Sequence, residues 1–138
     1  MGPVNWLAAV LGAAAFFLVG GVWYGLLFGK AWRRELGISA ADVAAAKARG
    51  DGQLAKIMGL SFAAELVIAW MLAHLIARTS PEPHVIMMFA GGFGAFLMTP
   101  AIAINYLYQN RSLKLCAIDA GHFVFGMLAM GGLFVVLS

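Results

Sequence analysis

VNWLAAVLGAAAFFLVGGVWYGLLFG, Val4 to Gly29, runs for 26 residues without a charged side chain. A helix needs roughly 20 apolar residues to cross about 30 Å of hydrocarbon, so this stretch predicts a membrane span. It is not expected to be a removable signal peptide, because residues 1–3 carry no Lys or Arg and the apolar run is longer than a signal h-region. Three more runs of the same kind follow, at about 54–77, 85–108 and 115–137. Together they occupy nearly all of the 138 residues that the connecting loops leave over, with no room for a soluble domain. The expected fold is an all-α membrane protein, a single domain over residues 1–138 in which four transmembrane helices run up and down. Only the connection at about 30–53 is long.

Composition supports that reading and closes off others. The chain is 63% hydrophobic and 11% charged, with a mean hydropathy of +0.90, far from soluble averages. A single cysteine, Cys116, rules out an internal disulfide framework and any paired-cysteine redox or zinc motif. The net charge of +3 does not read as a nucleic-acid surface, because no basic stripe is interleaved with aromatics and basic loops are normal on membrane proteins. Lys30, Arg33, Arg34, Lys47, Arg49 and Lys56 crowd the first loop and its flank, Arg111 and Lys114 the third, and only Arg78 the second. The positive-inside rule then predicts a cytoplasmic loop 30–53 and both termini on the outer side.

Within that loop, Ser39 and Asp42 have capping-box spacing ahead of an Ala-rich stretch, and Gly50 supplies a stop. A short cytoplasmic helix is therefore expected. Just before it, Lys30, Trp32, Arg33 and Arg34 suit an interfacial anchor facing anionic lipid. Gly21, Gly25 and Gly29 repeat every fourth residue, as do Gly91 with Ala95 and Ala117 with Gly121. Small residues at that spacing predict close helix packing, either inside one bundle or between copies in a homo-oligomer. Pro100 predicts a local kink in the third span.

Ionisable and amide groups at membrane depth are the candidates for function, being costly in hydrocarbon. At about 1.5 Å of rise per residue from the predicted cytoplasmic ends, Asp119 lies about 7 Å deep, His122 about 12 Å, Glu65 about 13 Å, Asn105 about 6 Å and Tyr24 about 9 Å. All four helices thus place a polar side chain in one slab of the inner leaflet, and Asp119 and His122 share a helix face. A carboxylate near a histidine in a poorly hydrated site suits proton coupling or cation binding, and Glu65 with His122 is the expected pair. The same groups also fit an interhelical lock that only orients the bundle. His74 falls at the opposite interface, too far from His122 to share a metal, so no metal site and no cofactor are expected. No Ser-His-Asp arrangement, HExxH pair or phosphate-binding loop occurs, and enzymatic activity is not expected.

VNWLA (Val4–Ala8) and GVWYGLLFGKAW (Gly21–Trp32), with NYLYQNRSLKL (Asn105–Leu115) and IDAGH (Ile118–His122), resemble the bacterial domain-of-unknown-function 1761 family of small membrane proteins. The resemblance covers almost the whole chain in order, least in the cytoplasmic loop, and implies a four-span fold in a bacterial inner membrane. It implies no established activity. Asn5, Trp23, Tyr24, Lys30, Trp32, Asn105, Asp119 and Gly121 fall on its motifs and Glu65 does not, while an aromatic residue is common in the family at the position of His122. Two functions stay open: a small oligomeric transporter or channel with a polar site in the inner leaflet, or an accessory protein docking a partner or anionic lipid. A lipid-modifying enzyme is the weaker third.

Overall fold

The computed structural model describes residues 2–138; Met1, part of the expected single domain, lies outside the described residues. Six helices follow one another: α1 (Trp6–Leu27), α2 (Gly29–Leu36), α3 (Ala40–Arg49), α4 (Gln53–Thr79), α5 (Pro83–Tyr108) and α6 (Leu113–Leu137). α1, α4, α5 and α6 are each long and apolar enough to cross a membrane, and the protein is an all-α, multi-pass membrane protein.

Local chemistry starts and stops these helices. Asn5 caps α1, its Oδ1 accepting from the Ala8 amide at 2.9 Å, while its Nδ2 donates to the Leu137 carbonyl at 2.8 Å and ties the start of α1 to the end of α6. Ser112 caps α6 through the Leu115 amide at 3.1 Å. Proline at the first position of α5 needs no amide hydrogen there. The capping box of α3 forms fully: Ser39 Oγ accepts from the Asp42 amide at 3.1 Å, and Asp42 Oδ2 accepts from Ser39 N at 2.7 Å and Ser39 Oγ at 2.6 Å.

The Ser39 hydroxyl, then its amide, hold the Asp42 carboxyl below its ordinary 3.8. A value lower in the folded state means that the cap acts at full strength above the ordinary value and is lost as the pH falls through the lowered one. The protection of amides 40–46, measured as exchange relative to the unstructured chain at the same pH, should therefore fall as the pH drops below the ordinary carboxylate value, and Asp42→Asn should lower it likewise at neutral pH.

α6 is the centre of the bundle. It packs on α1 along one side and on α5 along the other, α4 lies on the far flank of α1, and α4 meets α5 only slightly, in its first segment Pro83–Gly92. Buried side chains concentrate in the half of the membrane nearer the termini, where Phe16, Leu72, Ile86, Met127, Met130 and Phe134 interdigitate among alanines. Toward the loop end the bundle loosens, and α4 from Gln53 to Ser61 is exposed all round.

Membrane helices attract one another chiefly through close backbone approach at small residues. Gly94 delivers it against the α6 backbone, while Gly12, Gly126 and Gly131 make room for the side chains of Met130, Phe16 and Ala90. A Cβ on Gly126 would stand 2.9 Å from three atoms of the Phe16 ring, and one on Gly94 would stand 2.9 Å from the Val124 Cα. Gly94→Ala must push α5 off the α6 backbone, and we expect a loss of about 1–3 kcal/mol, read as a lowered midpoint of thermal unfolding in a fixed detergent.

The four-residue glycine repeat of α1 plays no such part within the chain. Gly21 and Gly25 are exposed, with nothing within 4 Å of where a side chain would begin, while Gly29 is buried. The reason is a widened π-turn over Trp23–Leu27, closed by the Phe28 amide donating to the Trp23 carbonyl at 2.7 Å. Such a turn takes more than four residues, so Gly29 comes round to a different face from Gly21 and Gly25. The span also ends at Leu27 rather than Gly29, because the chain bends at Phe28 and Gly29 opens α2. A side chain on Gly29 would collide with the Tyr24 carbonyl.

A second π-turn, Phe93–Met98, lies just ahead of Pro100 and is bridged by Thr99 Oγ1 donating to the Gly94 carbonyl at 2.8 Å. Proline lacks an amide donor and its ring clashes with the carbonyl four residues back; the widened turn relieves both. The irregularity expected at Pro100 thus falls one turn earlier. On the third span a Cβ on Gly91 would stand 3.2 Å from Leu128 Cδ2, Ala95 is half-buried, and Gly94 between them makes the tightest approach.

Candidate functional site

Asp119 sits in the second turn of α6, buried, where α1 and α5 close over it from either side. One carboxylate oxygen accepts from the Tyr24 hydroxyl in a very short hydrogen bond, and the other accepts from the Tyr106 hydroxyl at 2.6 Å. A carboxylate with one phenol on each oxygen joins three spans through charge-assisted bonds, stronger than neutral ones. Beside it, Trp23 Nε1 donates to the Ile118 carbonyl at 2.9 Å and its ring fills the notch at Gly121, where a Cβ would stand 2.7 Å from the indole. Gly121 therefore packs as expected of a small residue, though against an indole rather than a neighbouring backbone.

His122, one turn further along α6, is buried among rings: Phe16 at 5.2 Å, Phe123 at 5.3 Å and Tyr24 at 5.1 Å between centroids. Its Nε2 is buried without a hydrogen-bond partner and lies against Gly20, where a Cβ would stand only 2.8 Å away. Glu65 is buried on α4, the face toward α1, and its Oε2 likewise has no partner. The expected pairing of Glu65 with His122 is thus not made: both atoms end open, because α4 packs on α1 rather than on α6. His74 lies half-buried near the far end of α4, its ring 5.8 Å from Trp70. Among the described residues no three His, Cys, Asp or Glu side chains are placed to hold a metal ion.

Asn105 does not join this site. It is exposed, and its neighbour Tyr106 reaches Asp119 instead. Eleven residues make about three turns of an unbroken α-helix, so a regular α5 would put Asn105 on the face that Gly94 presents to α6. The π-turn absorbs one extra residue, and the twelfth, Tyr106, comes round in its place. Trp23 and Tyr106 both lie in the family-like stretches, but no spacing in sequence ties either to Asp119; the packing does.

At the loop end, α2 is held against the start of α6. Glu35 accepts from Ser112 Oγ at 2.5 Å and stands 3.7 Å from Lys114 Nζ. This contact spans 77 positions in the chain and no local motif foreshadows it. Tyr24 meets the Trp32 ring edge-on at 5.6 Å, so the anchor expected from Lys30, Trp32, Arg33 and Arg34 abuts the Asp119 cluster, with Lys30 and Arg34 exposed and Trp32 and Arg33 half-buried.

No curated protein and no solved structure matches this chain. A family model does, over residues 7–135, and that stretch takes in both π-turns, Asp119 with its two tyrosines, Glu65 and His122. The chain belongs to the family described as protein of unknown function (DUF1761).

Proposed function

We propose that this protein is a small oligomeric transporter or channel for a proton or small cation, without enzymatic activity, in a bacterial inner membrane. The observation that carries the reading is two buried polar atoms at membrane depth without a partner among the described residues: His122 Nε2, one turn from Asp119, and Glu65 Oε2 on α4. Polar atoms kept in hydrocarbon without a bond are costly, and function is the usual reason they persist. Asp119 with Tyr24 and Tyr106 forms the loop-side end of the site and His122 continues it by one turn toward the membrane centre, with a hydroxyl, a carboxylate and an imidazole all able to exchange protons.

Charge distribution supports the orientation. Eight of the nine Lys and Arg lie at the loop end and only Arg78 at the other, so the loop end is the cytoplasmic one. Reconstituted in liposomes, the wild type should carry a proton- or ion-linked flux that Asp119→Asn and Glu65→Gln abolish while the helical content and copy number stay unchanged. An equal flux in wild type and variants sinks the reading.

The accessory or scaffold reading draws on a different feature, the bare strip at Gly21 and Gly25, which is smooth enough for a partner helix to lie on. Under it, Gly25→Leu releases a co-purifying membrane protein and no flux is seen in any preparation. A Gly25→Leu protein that loses only its own copies favours the oligomeric transporter.

A further inference from the structure

We propose that the cleft beneath α3 binds one anionic phospholipid of the loop-side leaflet. The cleft has a volume of about 620 Å³ and is formed by α2, α3 and the first turns of α4. That lies within the range of small-molecule sites, about 300–1,000 Å³. Its lining divides by chemistry: Ile38, Val43 and Ile57 give an apolar floor with the Trp32 indole, and Arg33 and Lys47 stand as cations at the wall.

Charge complementarity selects the occupant. Two of the acidic groups around the cleft are already engaged, Asp42 by the Ser39 cap and Asp51 by Arg49 at 3.7 Å. The lining sets three cations, Arg33, Lys47 and Arg49, against two carboxylates, Asp42 and Asp51, and Arg33 and Lys47 have no ion pair among the described residues, so the cleft keeps a net charge of +1. A phosphate beside an apolar floor answers both halves, and cations next to a membrane surface favour anionic headgroups.

Position selects the same ligand. The floor belongs to the first turns of a membrane span, and Trp32 marks the interfacial depth, where glycerol and the first acyl carbons lie. α3 itself has no buried residue; Val43 is its one half-buried side chain, and it faces the cleft. Among the described residues nothing else covers that face, and a lipid seated there supplies the contact that α3 otherwise lacks. The inference does not depend on transport.

Native mass spectrometry of the whole, delipidated protein titrated with phosphatidylglycerol or phosphatidylcholine tests it. One retained phosphatidylglycerol and little phosphatidylcholine are expected. Arg33→Gln with Lys47→Gln should weaken retention roughly thirtyfold, at about a tenfold loss per 1.4 kcal/mol and about 1 kcal/mol per cation. Arg111→Gln, which removes a cation of the α5–α6 connection outside the cleft, should leave it unchanged. Ile57→Trp, which fills the cleft and keeps every charge, should also weaken retention; it and Lys47→Gln alone carry the test if the double variant does not fold. Equal retention of the two lipids, an equal loss with Arg111→Gln, or displacement of phosphatidylglycerol by inorganic phosphate each overturns the proposal.

Discussion

Asp119→Ala is expected to destabilise the bundle by about 2–4 kcal/mol, since it removes the acceptor of two phenols at once and each stranded buried donor costs about 1–3 kcal/mol. The lower half of that range reflects the partial exposure of Tyr24 and Tyr106, which lets water reach them. Asp119→Asn should cost less, because an amide keeps one acceptor and can donate to the other phenol's oxygen. The decisive control is a triple variant: adding Tyr24→Phe and Tyr106→Phe to Asp119→Ala removes the stranded hydroxyls and should recover part of the loss. Unfolding midpoints in one detergent of the wild type, Asp119→Ala, the Tyr24→Phe/Tyr106→Phe variant and the triple variant measure this as a coupling. Full additivity would mean that the three side chains do not act as a unit.

Glu65→Leu should have the opposite sign. Leucine keeps nearly the same volume and removes a buried carboxyl whose Oε2 has no partner, so we expect a gain of about 1–3 kcal/mol. Glu65→Gln leaves a polar group in place and should gain little. A stabilising substitution that also abolishes flux would mark Glu65 as a residue kept for work at the expense of stability. A loss of stability with leucine would instead mean that the carboxyl has a partner in the membrane that one chain does not supply.

Much of the fold is legible in sequence because the bilayer imposes it. Twenty-odd apolar residues have few alternatives to a spanning helix, and Ser39, Asp42 and Gly50 write the ends of α3 in local chemistry. The neighbours of Asp119 are another matter. Depth along each span places Tyr24, Asp119 and His122 in one layer, but depth does not say which face a residue occupies, and the two π-turns alter the face without altering the depth. Asn105 gives way to Tyr106 for that reason, and the Gly21, Gly25, Gly29 repeat dissolves for the same one. Glu65 shows a different gap, since no spacing within α4 reveals that it packs on α1 and stands away from α6.

The widened turn of α5 also gives that helix a second setting. One residue corresponds to about 100° of rotation and 1.5 Å of travel, so the segment beyond Met98 behaves as a cam with two stops. Deleting Phe96, an 80% exposed side chain inside the turn, would straighten α5 with Gly94 still seated on Val124. The segment beyond would then rotate by one position and present Asp119 with the Asn105 amide in place of a phenol. A single-codon deletion would thereby exchange a phenol donor to Asp119 for an amide, leaving the four spans and their order untouched.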